Sequence, residues 1–446
     1  MARCFCRWRT MLICVCTPCI LLVLLVAYAT VMVCAATNNR VVSFHFVASG
    51  TLNNKSFGPL PQTFWDLDQH GDAIWNRLQL TIDRHFNPVL RPNDMRTGLE
   101  NDNIYESRGM QGFSEVKLDS MGENLDRLPE QIQDFAKHMH RRDYPTLIQP
   151  DGVCGAGEEE EREAPLLLLA IKSTELGFKN RQAIRQTWGQ AGWVAGQGRS
   201  AKGGGGGYIR RVFLLGKGRV ENVVGDLPES LQMESKHYGD ILQWDFRDTF
   251  FNLTLKDVLF WSWFSRSCNR TVFVFKGDDD VFVNTPKMIT YLRDQLRKPQ
   301  ANKIIGDFMI GDVIVAALPS QDRKSKYFIP GSFYKGRYPV YAGGGGVVYS
   351  GLLARRLHHV SKRVHLFPID DVYVGMCMTR LNVHLVHHAA FLTFDFPSGT
   401  EEKQPCSYHT VLLVHKRSPS QLLKLWANMT MTQAQCWDAP LRKGYT

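Results

Sequence analysis

The feature that most constrains the fold is an unbroken apolar run, Leu166 to Ile171, that stops at Lys172 and Ser173. A run without polar alternation belongs to a strand covered on both faces, the hallmark of a sheet buried between helices. Val212 to Leu215, Ile241 to Phe246 and Thr271 to Phe275 read as further strands. Between them, Asn180 to Trp188 reads as a basic helix, and Leu255 to Phe264 as a helix with Leu255, Val258, Leu259 and Trp263 on one face. Asn252 or Thr254 is placed to cap the second of these. Thr285-Pro286 opens another helix with Pro at its first position. This alternation predicts an α/β fold, a mainly parallel central sheet flanked by helices.

The N-terminus carries a different signal. Arg3, Arg7 and Arg9 precede an uncharged stretch from Thr10 to Asn39 that contains the apolar run Ile20 to Val33, long enough to span a bilayer. Ala35 and Ala36 offer a signal-peptide cleavage site as the alternative, but the stretch exceeds an ordinary signal core. The arginines place the N-terminus in the cytosol and the remainder in a lumen. The expected organisation is a tail (1–10), a transmembrane signal anchor (11–36), a stem (37–75), a helical appendage (76–150) and the main domain (164–446). The Gly/Glu run Gly155 to Glu161 reads as a solvated loop before that domain, and Gly203 to Gly207 as a flexible linker.

Sequons at Asn54, Asn252, Asn269 and Asn428 agree with a secretory compartment. Six of the eleven cysteines lie in or beside the apolar stretch, where palmitoylation and plain packing both remain open. The other five, Cys154, Cys268, Cys377, Cys406 and Cys436, lack zinc-like spacing and allow at most two disulfides, with Cys377–Cys406 expected as one. The net charge of +10 is scattered and accompanies no nucleic-acid-binding motif, so no nucleic-acid partner is expected. A basic surface also suits an anionic small substrate.

Ligands of parallel sheets bind beyond the carboxyl ends of the strands, and the triplet Asp278, Asp279 and Asp280 falls directly after a strand candidate. Hard oxygen ligands there suit Mn2+ or Mg2+ bound to substrate phosphates. An isolated acidic triplet is more often a solvated turn, but this one follows a core strand. A second acidic pair, Asp370 and Asp371, lies between apolar residues. Partial desolvation there suits a general base, with helix N-capping as the alternative. Tyr338 and Tyr341 flank Gly343 to Gly346, which lack phosphate-loop spacing and read as a sugar-contacting loop. His415 follows the apolar run Val411 to Val414, where an imidazole is either a further metal ligand or structural.

Taken in order, LLLLAIKS (166–173), RQAIRQTWG (181–189), VFLLG (212–216), DILQWDFRDTFFNLTLK (240–256), FVFKGDDDVFVN (273–284), YAGGGGVVYS (341–350), PIDDVYVGMC (368–377) and LLVH (412–415) resemble the animal β-1,3-glycosyltransferase family. The similarity is greatest to its poly-N-acetyllactosamine-extending β-1,3-N-acetylglucosaminyltransferases. The resemblance implies a GT-A fold, UDP-GlcNAc as donor, Mn2+ or Mg2+ as cofactor, galactose-terminated glycans as acceptors and inversion of configuration in the Golgi membrane. It leaves homo- or hetero-oligomers open. It assigns Asp371 as base, Asp280 and His415 as metal ligands, and Arg181, Arg185, Lys276, Asp278, Asp279, Gly344 and Gly345 to the donor. Lys172, Tyr338, Tyr341 and Asp370 fall to the acceptor. A β-1,3-galactosyltransferase and a non-enzymatic glycan-binding protein of the same fold are the alternatives.

Overall fold

A computed structural model describes residues 25–30, 70–86, 128–151, 153–154, 164–197, 205–218, 227–268, 270–299, 301 and 305–444. The chain divides into two compact units, Met1–Phe46 and Val47–Thr446. In the first, residues 25–30 are helical. Among the described residues no helix is long and apolar enough to cross a membrane. Most of the expected anchor and stem, the run Gly155 to Glu161, and the sequons at Asn54 and Asn269 lie outside the described residues.

In the second unit the described elements begin with helices α1 (Ile74–Phe86) and α2 (Glu130–His138) and strands β1 (Thr146–Ile148) and β2 (Leu167–Lys172). There follow α3 (Phe178–Gln186), β3 (Gly192–Ala195), β4 (Gly206–Lys217), α4 (Leu227–Tyr238), β5 (Ile241–Arg247), α5 (Leu253–Ser267) and β6 (Phe273–Asp278). After β7 (Phe282–Val283) and α6 (Thr285–Arg297) come the short strands β8 (Met309–Gly311), β9 (Val313–Ile314) and β10 (Tyr341–Ala342), then β11 (Gly346–Ser350) and α7 (Gly351–Ser361). The chain closes with α8 (Asp370–Leu381), β12 (Val386–His387), β13 (Phe391–Leu392), α9 (Gly399–Glu402), β14 (Leu413–Val414) and α10 (Pro419–Cys436).

The main sheet has the order β1-β5-β4-β2-β6-β11-β8-β12, with β3 paired to β4. Strands β5, β4, β2 and β6 are parallel, as the apolar runs predict, but β11 is antiparallel to both β6 and β8, so the sheet is mixed. Both faces are covered. Leu168 and Ala170 of β2 enter one core with Phe260 and Trp261 of α5, whereas Leu167, Leu169 and Ile171 enter the other with Ile184, Met288 and Leu422. Burial on both faces is why β2 has no polar alternation.

Some local features differ from expectation. Within the stretch expected as an appendage, α1 and α2 bury Trp75, Leu78, Ile132 and Phe135 in the core shared with α5, and Trp75 Nε1 donates to the Leu366 carbonyl at 3.1 Å. Gly206 and Gly207 are strand rather than linker, opening β4 against β3. The Trp193 ring lies over Gly206, where an added Cβ would stand 2.6 Å from it, so the glycine makes room for an aromatic cross-strand neighbour. Neither proposed side chain caps α5. Asn252 Nδ2 donates back to the Arg247 carbonyl and Thr254 Oγ1 to the Phe367 carbonyl, while Thr249 accepts from the Asn252 amide.

The expected Cys377–Cys406 bridge is absent. Cys154 pairs with Cys268, Cys406 with Cys436, and Cys377 is a buried free thiol on α8. Cys377 points into the α5-side core, whereas Cys406 lies beside the end of α10, a helix packed on the opposite face.

Candidate active site

Strand polarity assembles the site. Strands β2 and β6 run parallel with Lys172 opposite Asp278, so their carboxyl ends lie together. Strand β11 runs the other way, with Gly346 opposite Gly277, and this delivers the glycine segment 343–346 to the same edge. The Asp278 amide donates to the Gly345 carbonyl at 3.2 Å. Beyond the triplet, β7 pairs antiparallel with β14, Phe282 opposite Val414, which sets His415 against the acidic triplet.

Asp278, Asp280 and His415 offer ligand atoms that all lie within 4.8 Å of one another. His415 Nε2 is 3.3 Å from Asp280 Oδ1 and 3.8 Å from Asp278 Oδ2. Its other nitrogen, Nδ1, faces the Thr393 carbonyl at 3.2 Å, so donation there leaves the Nε2 lone pair of the neutral ring free for a metal ion. Burial lowers the His415 pKa, but the hydrogen bond and charge of Asp280 outweigh it and the net shift is upward. Two carboxylates and one imidazole, all partly exposed, are a donor set that fits Mn2+ or Mg2+.

Asp279 faces another way. Its carboxylate accepts from Ser173 Oγ at 2.6 Å and from Asn180 Nδ2 at 3.2 Å, and burial pushes its pKa up to about 6.

Across the glycine segment stands Asp371, in the first turn of α8. A Cβ built on Gly344 would lie 3.4 Å from Asp371 Oδ2 and 3.7 Å from His415 Cε1. One built on Gly345, whose φ is +98°, would meet His415 Cγ at 3.0 Å. These two glycines keep the gap between Asp371 and the Asp278, Asp280 and His415 cluster free of side chain. Thr393 Oγ1 donates to the Gly344 carbonyl at 3.0 Å and ties the segment to the end of β13, the strand paired with the β14 strand that leads into His415.

Asp370 and Asp371 divide the roles of an acidic pair. Burial raises the pKa of both, but Lys172 and Lys276 more than reverse this at Asp370, whose net shift is downward. At Asp371 burial and the Asp370 charge prevail, and the shift is upward. Lys172 is depressed by burial and raised further by Asp257 and Asp370, so it remains a cation.

The remaining expected residues separate into two groups. Tyr341 is half-buried near Asp371, its hydroxyl pushed up to about 12 by burial and that charge, and its ring lies 6.3 Å from that of Tyr338. The Tyr338 hydroxyl is buried without a hydrogen-bond partner. The basic residues expected at the donor are ion-paired inside the protein. Arg181 is fully buried on Glu234 at 2.6 and 2.8 Å, Arg185 bridges Glu234 and Asp240, and Lys276 is 2.8 Å from Asp257. Their cationic groups are already neutralised by carboxylates; Arg181 approaches the triplet through Ser173 Oγ, at 3.2 Å. Sequence reasoning missed Asp257, Asn180 and Thr393. Only Ser173 carried a signal, as a polar residue at the end of a buried strand.

A family model described as galactosyltransferase matches residues 179–389. The chain is 41% identical to human N-acetyllactosaminide β-1,3-N-acetylglucosaminyltransferase 2, over 84% of its own length and 89% of that protein. It is 40% identical to mouse N-acetyllactosaminide β-1,3-N-acetylglucosaminyltransferase 4, covering 69% and 81%, and 41% identical to mouse UDP-GlcNAc:betaGal β-1,3-N-acetylglucosaminyltransferase 7, covering 67% and 71%. The chain belongs to the galactosyltransferase family of glycosyltransferases, in the branch of the β-1,3-N-acetylglucosaminyltransferases.

Proposed function

We propose that this chain is an inverting β-1,3-N-acetylglucosaminyltransferase with a GT-A fold that moves GlcNAc from UDP-GlcNAc to the 3-hydroxyl of a terminal galactose on N-acetyllactosamine-type glycans. The observation that carries the reading is the gap between Asp371 and the Asp278, Asp280 and His415 cluster, kept open by Gly344 and Gly345. The names of the relatives supply the sugar and the acceptor.

Asp371 takes the proton of the acceptor 3-hydroxyl as that oxygen bonds to the anomeric carbon, and the bond from that carbon to the UDP oxygen breaks on the opposite face. One displacement turns an α-linked donor into a β-linked product. Asp370, neutralised by Lys172, aligns the first turn of α8. Asp278, Asp280 and His415 would hold Mn2+ or Mg2+, which when bound supplies positive charge to the leaving diphosphate. Tyr341 borders the acceptor side. Residues 11–36 serve as the anchor of a Golgi membrane protein with a lumenal catalytic domain, a reading supported by the basic residues before them and the sequons after them.

The test is competition between UDP-GlcNAc and UDP-galactose on lactosamine acceptors, with and without a chelator. Preferred GlcNAc transfer, abolished by chelation and restored by Mn2+, is expected. Preference for UDP-galactose would mark a galactosyltransferase, and glycan binding without transfer would mark a non-enzymatic protein.

A further inference from the structure

Four buried charges alternate beneath the first turn of α8. Lys276 Nζ lies 2.8 Å from Asp257 Oδ2, Lys172 Nζ lies 3.1 Å from Asp257 Oδ1, and Lys172 closes on Asp370. Asp257 is 0% exposed and both lysines 4%. A chain like this is a poor source of stability, because removing such charges from water costs about as much as their attraction returns. Its value lies in geometry: it joins α5, β2 and β6 to the helix that carries Asp371. The N-terminal turn of α8 has Ile369 at its cap position and no capping side chain, which leaves the Lys172–Asp370 pair as a polar tether of that turn.

We propose that Asp257 is a positioning residue for glycosyl transfer, which holds Lys172 against Asp370 and thereby fixes the direction of the Asp371 carboxylate. Lys172 and Lys276 sit on adjacent parallel strands and both reach Asp257. Without that anion their ammonium groups repel in a space of low dielectric, and the flexible Lys172 stem loses its fixed end. The inference rests on the assignment of Asp371 as the base, and Asp257 itself touches no substrate.

The experiment compares Asp257→Asn and the double variant D257N/K276M, which leaves no unpaired lysine, with the wild-type chain. Transfer kcat falls about tenfold or more in both, the scale on which small misplacements of reacting groups act, while KM for UDP-GlcNAc stays within about twofold. Amide exchange of Asp370 to Val374 accelerates about tenfold with α10 unchanged. The double variant recovers thermal stability but not kcat. Native kcat in either variant, unchanged exchange at 370–374, or failure of both variants to fold overturns the proposal. A wild-type chain without transferase activity refutes the functional reading instead, and the exchange comparison still decides whether Asp257 orders this turn.

Discussion

Asp280 Oδ1 faces His415 Nε2 at 3.3 Å, a contact made by strand pairing between distant parts of the chain. The Arg417 amide donates to the Asp280 carbonyl at 2.6 Å and closes the junction from the other side. The cluster is therefore positioned by the backbone, and its properties are open to measurement.

Asp371 is protonated more readily than an ordinary carboxyl group, because burial and the Asp370 anion both raise its pKa. A base must be ionised to accept a proton, so kcat/KM rises with pH until Asp371 has lost its own. The acid limb of the pH profile, set also by Asp278, Lys172 and Lys276 around the pair, is expected above the ordinary carboxylate value of about 4. Asp371→Asn removes the base and lowers kcat by about 100- to 10,000-fold with UDP binding retained. A profile flat down to the ordinary carboxylate range contradicts the assignment.

Gly345 is expected to resist substitution for two separable reasons. Its φ of +98° strains any L-residue by about 1–2 kcal/mol, and a Cβ would press on His415. Gly192, at φ +112° with nothing within 4 Å of a built Cβ, provides the strain without the contact. Gly345→Ala weakens Mn2+ binding by about tenfold in a calorimetric titration, whereas Gly192→Ala leaves it unchanged. Equal metal affinity in the two variants would separate His415 from the ion.

Helix α1 is expected to be part of the folding unit. Arg380, on the helix of the base, makes a two-pronged ion pair with Asp83 at 2.6 and 2.8 Å, and both side chains are buried. Arg380→Ala leaves the buried Asp83 carboxylate without a cation, held only by Gln79 Nε2 at 2.9 Å, and costs about 3–5 kcal/mol in urea unfolding. The double variant R380A/D83A recovers part of that loss, and a chain begun after residue 150 unfolds.

The parallel strands were legible because burial on both faces writes itself as unbroken apolar runs, as in Leu166 to Ile171. The acidic triplet, Asp371 and the glycine segment were legible from their places after strands or between apolar residues. The ion-pair partners were not. Glu234, Asp240 and Asp257 carry no local pattern that distinguishes a buried partner from a solvated acid, so the ion pairs of Arg181, Arg185 and Lys276 could not be read from the sequence. Cysteine pairing failed likewise, since chain order does not reveal which face of the sheet a thiol occupies. Peptide mapping without reduction should recover Cys154–Cys268 and Cys406–Cys436 and an alkylated Cys377; a Cys377–Cys406 peptide would contradict the packing of α8.

The most direct test of the central claim is linkage analysis by NMR of the product formed from UDP-GlcNAc and a galactose-terminated lactosamine with Mn2+. The account predicts one new GlcNAc, β-linked to the galactose 3-hydroxyl. An α-linkage, attachment at another hydroxyl, or UDP release without a new glycan would contradict it.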